Sequence, residues 1–187
     1  GKKVEVDGKE YTADHIIIAT GSRSRQLPNI PQDGKKVIGY REAMTLKKQP
    51  KSMIVVGSGA IGAEFAHFYN AMGTKVTIVE YLPNLVPLED EEVSKQFERS
   101  FKKAGIKVMT NASVESVDTS GKSITATVKT KKGEEILEAE IVLSAVGIKS
   151  NIENIGLEEV GIVVDSDKIV VNDWYQTNIP GYYAIGD

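Results

Sequence analysis

The chain has 187 residues, enough for one domain with a full core or for a domain with part of another. A net charge of −3 argues against nucleic acid or an anionic membrane as the main partner, and 26% charged with 41% apolar residues is an ordinary globular composition. With no cysteine the chain holds no disulfide, thiolate metal site or catalytic thiol, and no apolar run approaches the roughly 20 residues that span a bilayer.

Residues 4–22 read as a hairpin turning at Asp7-Gly8, then a buried strand at 15–19 stopped by Thr20-Gly21-Ser22. Residues 23–49 read as a linker, polar and proline-bearing at first, with a short strand and turn near 37–46. A strand at 53–56 follows. Over 60–72, Ile61, Phe65, Phe68, Tyr69 and Met72 recur at helical spacing and predict one apolar face, with Gly73 as the cap. Residues 75–80 are the next strand. Strand, glycine-rich turn, helix and strand make the length of a parallel βαβ unit.

A second helix is expected over 89–104, with Val93, Phe97, Phe101 and Ala104 on one face. Its acidic first turn (Glu89, Asp90, Glu91, Glu92) and basic last turn (Lys102, Lys103) complement the helix dipole, which accounts for the acidic run without a metal. A third strand follows at 106–109. The pattern then changes to three short alternating strands, 113–117, 123–130 and 134–139, an antiparallel meander. Residues 141–146 are apolar throughout, as in a strand covered on both faces. Two short strands near 161–164 and 168–171 and a last one at 182–185 complete the chain.

The stretch after the 53–56 strand carries Gly57, Gly59 and Gly62 as G-x-G-x-x-G. The glycines alone are weak, since glycine is common in turns. Here they follow a strand, open a helix, and precede an acidic residue, Glu80, about 20 residues on. Gly57 permits the tight turn, Gly59 lets the backbone approach a pyrophosphate, and Gly62 lets helix pack on strand. The helix N-terminus offers N–H groups and positive dipole to phosphates, and Glu80 accepts from a ribose 2′- and 3′-hydroxyl pair. A 2′-phosphate would meet that carboxylate at a cost of several kcal/mol, which selects NAD over NADP. On this reading Glu80 is a ligand whose removal weakens binding and barely touches the fold. An S-adenosylmethionine methyltransferase or a non-catalytic NAD-binding module shares the loop, but neither explains the meander.

Three stretches, "IIIATGS" at 16–22, "IVVGSGAIGAEFA" at 54–66 and "TNIPGYYAIGD" at 177–187, together resemble the pyridine nucleotide–disulfide oxidoreductases. Residues 82–108 and 151–162 add to the likeness, which is strongest to the branch that oxidises dihydrolipoamide for 2-oxoacid dehydrogenase complexes. A flavin NADH oxidase or ferredoxin-type reductase of the same fold is the alternative.

The resemblance implies an α/β, Rossmann-like FAD/NAD(P)-binding fold, a parallel sheet with helices on one face and a three-stranded meander on the other. Residues 1–22 would end a first FAD segment, 50–149 form the NAD-binding domain, and 150–187 begin the returning, truncated FAD segment. Gly57, Ser58, Gly59, Ala60, Ile61, Gly62, Ala63 and Glu64 would wrap the NAD pyrophosphate, Glu80 would hold the adenosine ribose, and Val114 and Gly147 would line the adenosine and nicotinamide sides. Thr20, Gly21, Ser22 and Asp187 match positions near FAD. The family often has Gly-Arg-x-Pro-Asn where this chain has Gly147-Ile148-Lys149-Ser150-Asn151.

No catalytic residue and no metal ligand is expected within this segment, because the family's cysteine pair and histidine lie outside it. Both ends read as cut, so the isolated chain is expected to bind NAD(H) without turnover. The parent is expected to be a homodimer and this segment a monomer. No signal-peptide pattern opens the chain, which suggests a cytoplasmic protein. His15 and His67 read as structural or surface histidines, Trp174 and Tyr175 as packing residues, and Lys47-Lys48 and Lys131-Lys132 as solvated turns.

Overall fold

The computed structural model describes residues 2–187. In chain order its elements are β1 (Lys3–Val6), β2 (Lys9–Thr12), β3 (Ile16–Ile18), β4 (Ser22–Ser24), β5 (Val37–Ile38), α1 (Tyr40–Met44), β6 (Ser52–Val56), α2 (Ala60–Ala71), β7 (Lys75–Val79), α3 (Glu91–Lys103), β8 (Lys107–Met109), β9 (Ser113–Asp118), β10 (Ile124–Thr130), β11 (Gly133–Ala139), β12 (Ile141–Ser144), β13 (Ile148–Ser150), α4 (Leu157–Val160), β14 (Val164–Asp165), β15 (Lys168–Ile169) and β16 (Tyr182–Ala184). They divide into two units. One comprises Ser24–Gly147; the other joins the residues up to Arg23 with Ile148–Asp187.

The larger unit is built on a five-stranded sheet in the order β5-β12-β6-β7-β8, parallel at every pairing. Alternation along the strands sends side chains to two separate cores. Ile38, Met53, Val55, Val76, Ile78 and Leu143 face the helices, where they meet Ala63, Ala66, Tyr69 and Phe101. Val37, Ile54, Val56, Val79 and Val142 face the antiparallel sheet β11-β10-β9, where they meet Val114, Ile124, Ala126 and Val128. Each fully buried aliphatic side chain contributes about 1.5–3 kcal/mol. The fold is therefore the expected α/β one, with helices on one sheet face and the meander on the other.

The packed face of α2 differs from the expected one. Gly62, Ala63, Ala66 and Tyr69 are buried, whereas Phe68 and Met72 are 54% and 58% exposed. The small residues let the helix lie close on the sheet, and Ile61 and Phe65 of the expected stripe pack partly buried against the same core, which leaves Phe68 and Met72 outside it. Tyr69 secures the contact, its hydroxyl donating to the Ala43 carbonyl at 2.5 Å, and burial pushes its phenol pKa up. On α3, Phe101 is buried and lies 4.2 Å from Phe97 between ring centroids, but Val93 is exposed and Ser94 takes the buried place. Asp90 caps α3, accepting from the N–H groups of Glu92 and Val93.

Residues 24–49 are more than a linker. Ile30, Val37, Ile38 and Ala43 are buried in the two cores, and β5 forms one edge of the sheet through parallel pairing with β12. β5 falls in the short strand expected near 37–46, whereas Ile30 and Ala43 stand too isolated to give a periodic signal.

In the smaller unit, Asp7 and Gly8 both take positive φ (51° and 73°) in the turn between β1 and β2, as the Asp-Gly pair requires. β3 pairs in parallel with β16 alone, and β4 pairs with β13. Leu157, Ile162 and Tyr182 form a small core with Ile16 and Ile18. Because this sheet has two strands, one face stays uncovered among the described residues, and Ile17 is 63% exposed where a buried strand was expected. Trp174 and Tyr175 are also exposed rather than packed. The Asn172 side chain accepts from the N–H groups of Trp174 and Gln176 and shapes that turn.

Candidate functional site

Strand β6 runs into the glycine turn and directly on into α2. Gly57 has φ +94°, and a Cβ there would lie 2.6 Å from the Ala145 carbonyl oxygen. A Cβ on Gly62 would lie 2.1 Å from the Gly57 carbonyl oxygen. Gly59 is different: a Cβ there would meet nothing within 4 Å. Two of the glycines are thus demanded by the protein's own packing, and the third borders open space.

Gly59 is the N-cap of α2, without a side chain to satisfy the first N–H groups, and the helix's first turn carries no acidic residue. The N–H groups of Ala60, Ile61 and Gly62 precede the first bond of the helical ladder, from Ala63 N–H to the Gly59 carbonyl. Together they form a positive, donor-rich end suited to phosphate. Glu64 is exposed one turn along, while Ala63 is buried beneath it.

Glu80 follows β7 and is only 6% exposed. Its Oε2 accepts from the backbone N–H of Ser58 at 2.8 Å and from the Ser58 hydroxyl at 2.7 Å. Its Oε1 accepts from the Leu82 N–H at 2.8 Å. Glu80 is therefore no free-standing ligand. It ties the glycine turn to the end of β7, and the expectation that its removal would barely touch the fold is corrected. The Ser58 carbonyl in turn accepts from the N–H of Val86, which sits at φ +43°, a left-handed conformation that a β-branched residue rarely takes. Ser58 joins Glu80 and loop 81–90 to the glycine turn, a role that spacing alone could not reveal because its partners lie on separate segments.

Gly147 is exposed at φ +105°, three residues beyond the end of β12, and its carbonyl accepts from the Arg25 N–H. Val114 is 5% exposed, its side chain in the core beneath the meander and its carbonyl bound by the Asn29 amide. Only its backbone is left to border a ligand. In the smaller unit, the Thr20 and Gly21 carbonyls accept from the side chain and backbone of Asn151, Ser22 is buried, and Asp187 is exposed.

The same unit holds an ion-pair cluster that sequence reading missed. Arg23 grips both carboxylate oxygens of Glu153, at 2.7 and 3.1 Å, and Lys149 adds a third contact at 2.7 Å. The hydrogen bonds from Arg23 and then Lys149 hold the Glu153 carboxyl well below the usual glutamate range. His15 is exposed near Tyr183 rather than buried in a strand, and His67 is exposed on α2 with its ring stacked toward Phe101. Among the described residues, no group of three or more His, Asp or Glu is placed to hold a metal ion.

The family model for pyridine nucleotide-disulphide oxidoreductases matches residues 1–187, the whole chain. The chain belongs to that family. Curated relatives include a dihydrolipoyl dehydrogenase of Rhizobium etli, 47% identical over 187 residues, covering 100% of this chain and 39% of the relative. A dihydrolipoyl dehydrogenase of Zymomonas mobilis is 41% identical over 184 residues, covering 98% of this chain and 40% of the relative. Among solved structures, LpdA from Mycobacterium tuberculosis superposes with a TM-score of 0.85 at 33% identity, covering 99% of this chain and 40% of that one. The HOCl-induced flavoprotein disulfide reductase RclA from Escherichia coli also gives 0.85, at 26% identity, covering 100% and 42%.

This family member thus spans about two fifths of the length of the relatives it matches. The family resemblance read from the three sequence stretches holds along the whole chain. No helix among the described residues is long and apolar enough to cross a membrane.

Proposed function

We propose that residues 50–149 bind NAD(H) within a flavin-dependent disulfide oxidoreductase, and that the whole protein acts as a dihydrolipoyl dehydrogenase. One observation carries the reading: Gly59 borders open space at the donor-rich start of α2, while Gly57 and Gly62 are required by packing. A glycine kept where the protein itself has room for a methyl group suits the approach of a ligand. The N–H groups of residues 60–62 would hold the pyrophosphate, and Glu80, fixed beside the turn, would accept from the adenosine ribose. The carboxylate favours a ribose diol over a 2′-phosphate, hence NAD over NADP.

When both cofactors are bound, they supply hydride transfer from reduced FAD to NAD⁺. The chain's own residues bind and orient the nucleotide, and none is required as acid or base in that step. Thr20, Gly21, Ser22 and Asp187 are assigned to FAD in the whole protein. Val114, through its backbone, and Gly147 are assigned to the two ends of NAD. With no cysteine, this segment cannot itself take electrons from a dithiol, so we expect nucleotide binding without turnover from it alone. We place the whole protein in the cytoplasm, as a homodimer serving a 2-oxoacid dehydrogenase complex, with this segment monomeric. Titration calorimetry tests the core of the reading: NADH is expected to bind at least about tenfold more tightly than NADPH. Equal affinities, or none, would refute it.

A further inference from the structure

Glu80 presents few acceptor sites to a ligand. A carboxylate offers about four lone-pair sites, and the protein fills three of them, two on Oε2 from Ser58 and one on Oε1 from Leu82. One site on Oε1 is left. That leaves the carboxylate room for one hydroxyl hydrogen of a ribose diol while these three bonds stand. Which oxygen keeps the free site is decided by Ser58, because both its N–H and its hydroxyl go to Oε2.

Ser58 is fully buried, at 0% exposure. Its carbonyl accepts from Val86 N–H at 3.1 Å, and the Val86 carbonyl accepts from Glu89 N–H at 2.9 Å and from the Ser94 hydroxyl at 3.3 Å. Those bonds hold Val86 in its left-handed conformation and fasten loop 81–90 to the glycine turn. The same residue thus orients the carboxylate and anchors the loop that follows it.

Resting on the NAD reading of this site, we propose that Ser58 is a positioning residue that sets the preference for an unphosphorylated adenosine ribose. It holds the Glu80 carboxylate in one orientation, with a single acceptor site left on Oε1. Ser58→Ala keeps the backbone bonds and removes only the hydroxyl, so the carboxylate gains a free site on Oε2 and loses one of its three restraints.

The test is calorimetric titration of the parent chain and the Ser58→Ala chain with NADH and with NADPH, each expressed with any sequence that flanks it in its gene, alongside thermal melts. Ser58→Ala is expected to weaken NADH binding by about three- to tenfold and to leave NADPH binding unchanged, so the preference shrinks by the same factor. Ser58→Cys keeps a small buried side chain with a weaker donor; it is expected to fall between the two and carries the test if the alanine chain does not fold. A lower melting temperature with an unchanged NADH-to-NADPH ratio would show a purely structural serine and overturn the proposal. A parent chain that binds neither nucleotide, or both equally, would overturn the reading of the site itself and this inference with it.

Discussion

Adding one methyl group at Gly59 and at Gly62 in turn separates a glycine kept for a ligand from one kept for packing. At Gly62 the new Cβ would stand 2.1 Å from the Gly57 carbonyl oxygen, and its neighbour is backbone. Reaching a normal contact of about 3.5 Å needs a shift of roughly 1 Å or more in a turn already braced against Ala145. Overpacking of this kind costs about 3 kcal/mol, which lowers the melting temperature by about 6–12 °C in a chain of this size. At Gly59 the backbone (φ −62°, ψ −176°) suits alanine and the Cβ meets nothing within 4 Å. The small loss of N-cap preference and the lower entropy of the unfolded chain offset each other within about 1 kcal/mol. Gly59→Ala should therefore melt near the parent yet bind NADH at least about tenfold more weakly, while Gly62→Ala should melt low. Thermal melts and NADH titration of both variants decide it. If Gly59→Ala bound NADH like the parent, or melted as low as Gly62→Ala, the account of the open space would be wrong.

Glu80→Ala should destabilise the fold as well as weaken NADH binding. It leaves the buried Ser58 N–H and hydroxyl and the Leu82 N–H without their acceptor, a loss of about 3 kcal/mol; a melting temperature within about 2 °C of the parent would count against the bracing role. Glu153 supplies a pH test. Its folded pKa is depressed by Arg23 and Lys149, so its contribution is present above the ordinary glutamate value of 4.5 and is lost as pH falls through the depressed value. Melts from neutral to acid pH at low salt should show the parent losing an advantage over Glu153→Gln that it holds at neutral pH. Added salt should shrink the difference, because the cluster is exposed; parallel curves would show that the cluster adds nothing.

Much of the architecture was legible because periodicity is local. The Asp7-Gly8 hairpin, the β6–α2–β7 unit, the charge gradient of α3 and the three meander strands all follow from residue spacing and turn chemistry. The site was legible to the same depth: strand, glycine turn, helix and acidic strand end are contiguous, and each glycine's role can be stated from the backbone conformation it permits.

What the chain does not state locally is which surface of each element meets which other. Periodicity shows that α2 has an apolar stripe of Ile61, Phe65, Phe68, Tyr69 and Met72; Tyr69 is buried and Ile61 and Phe65 partly so, while the rest of the buried line is Gly62, Ala63 and Ala66, small residues that allow close approach, and Phe68 and Met72 stay exposed. Ile30 and Ala43 look like scattered apolar residues until the two cores give them somewhere to lie. Glu80 reads as a ribose ligand at a strand end, and only the fold brings Ser58 and Leu82 to its oxygens. Local sequence determined the elements and the glycine turn, since φ preferences and side-chain period act within a few residues. Tertiary structure decided the packed faces and the partners of Glu80, since those depend on excluded volume and hydrogen bonds between segments far apart in the chain.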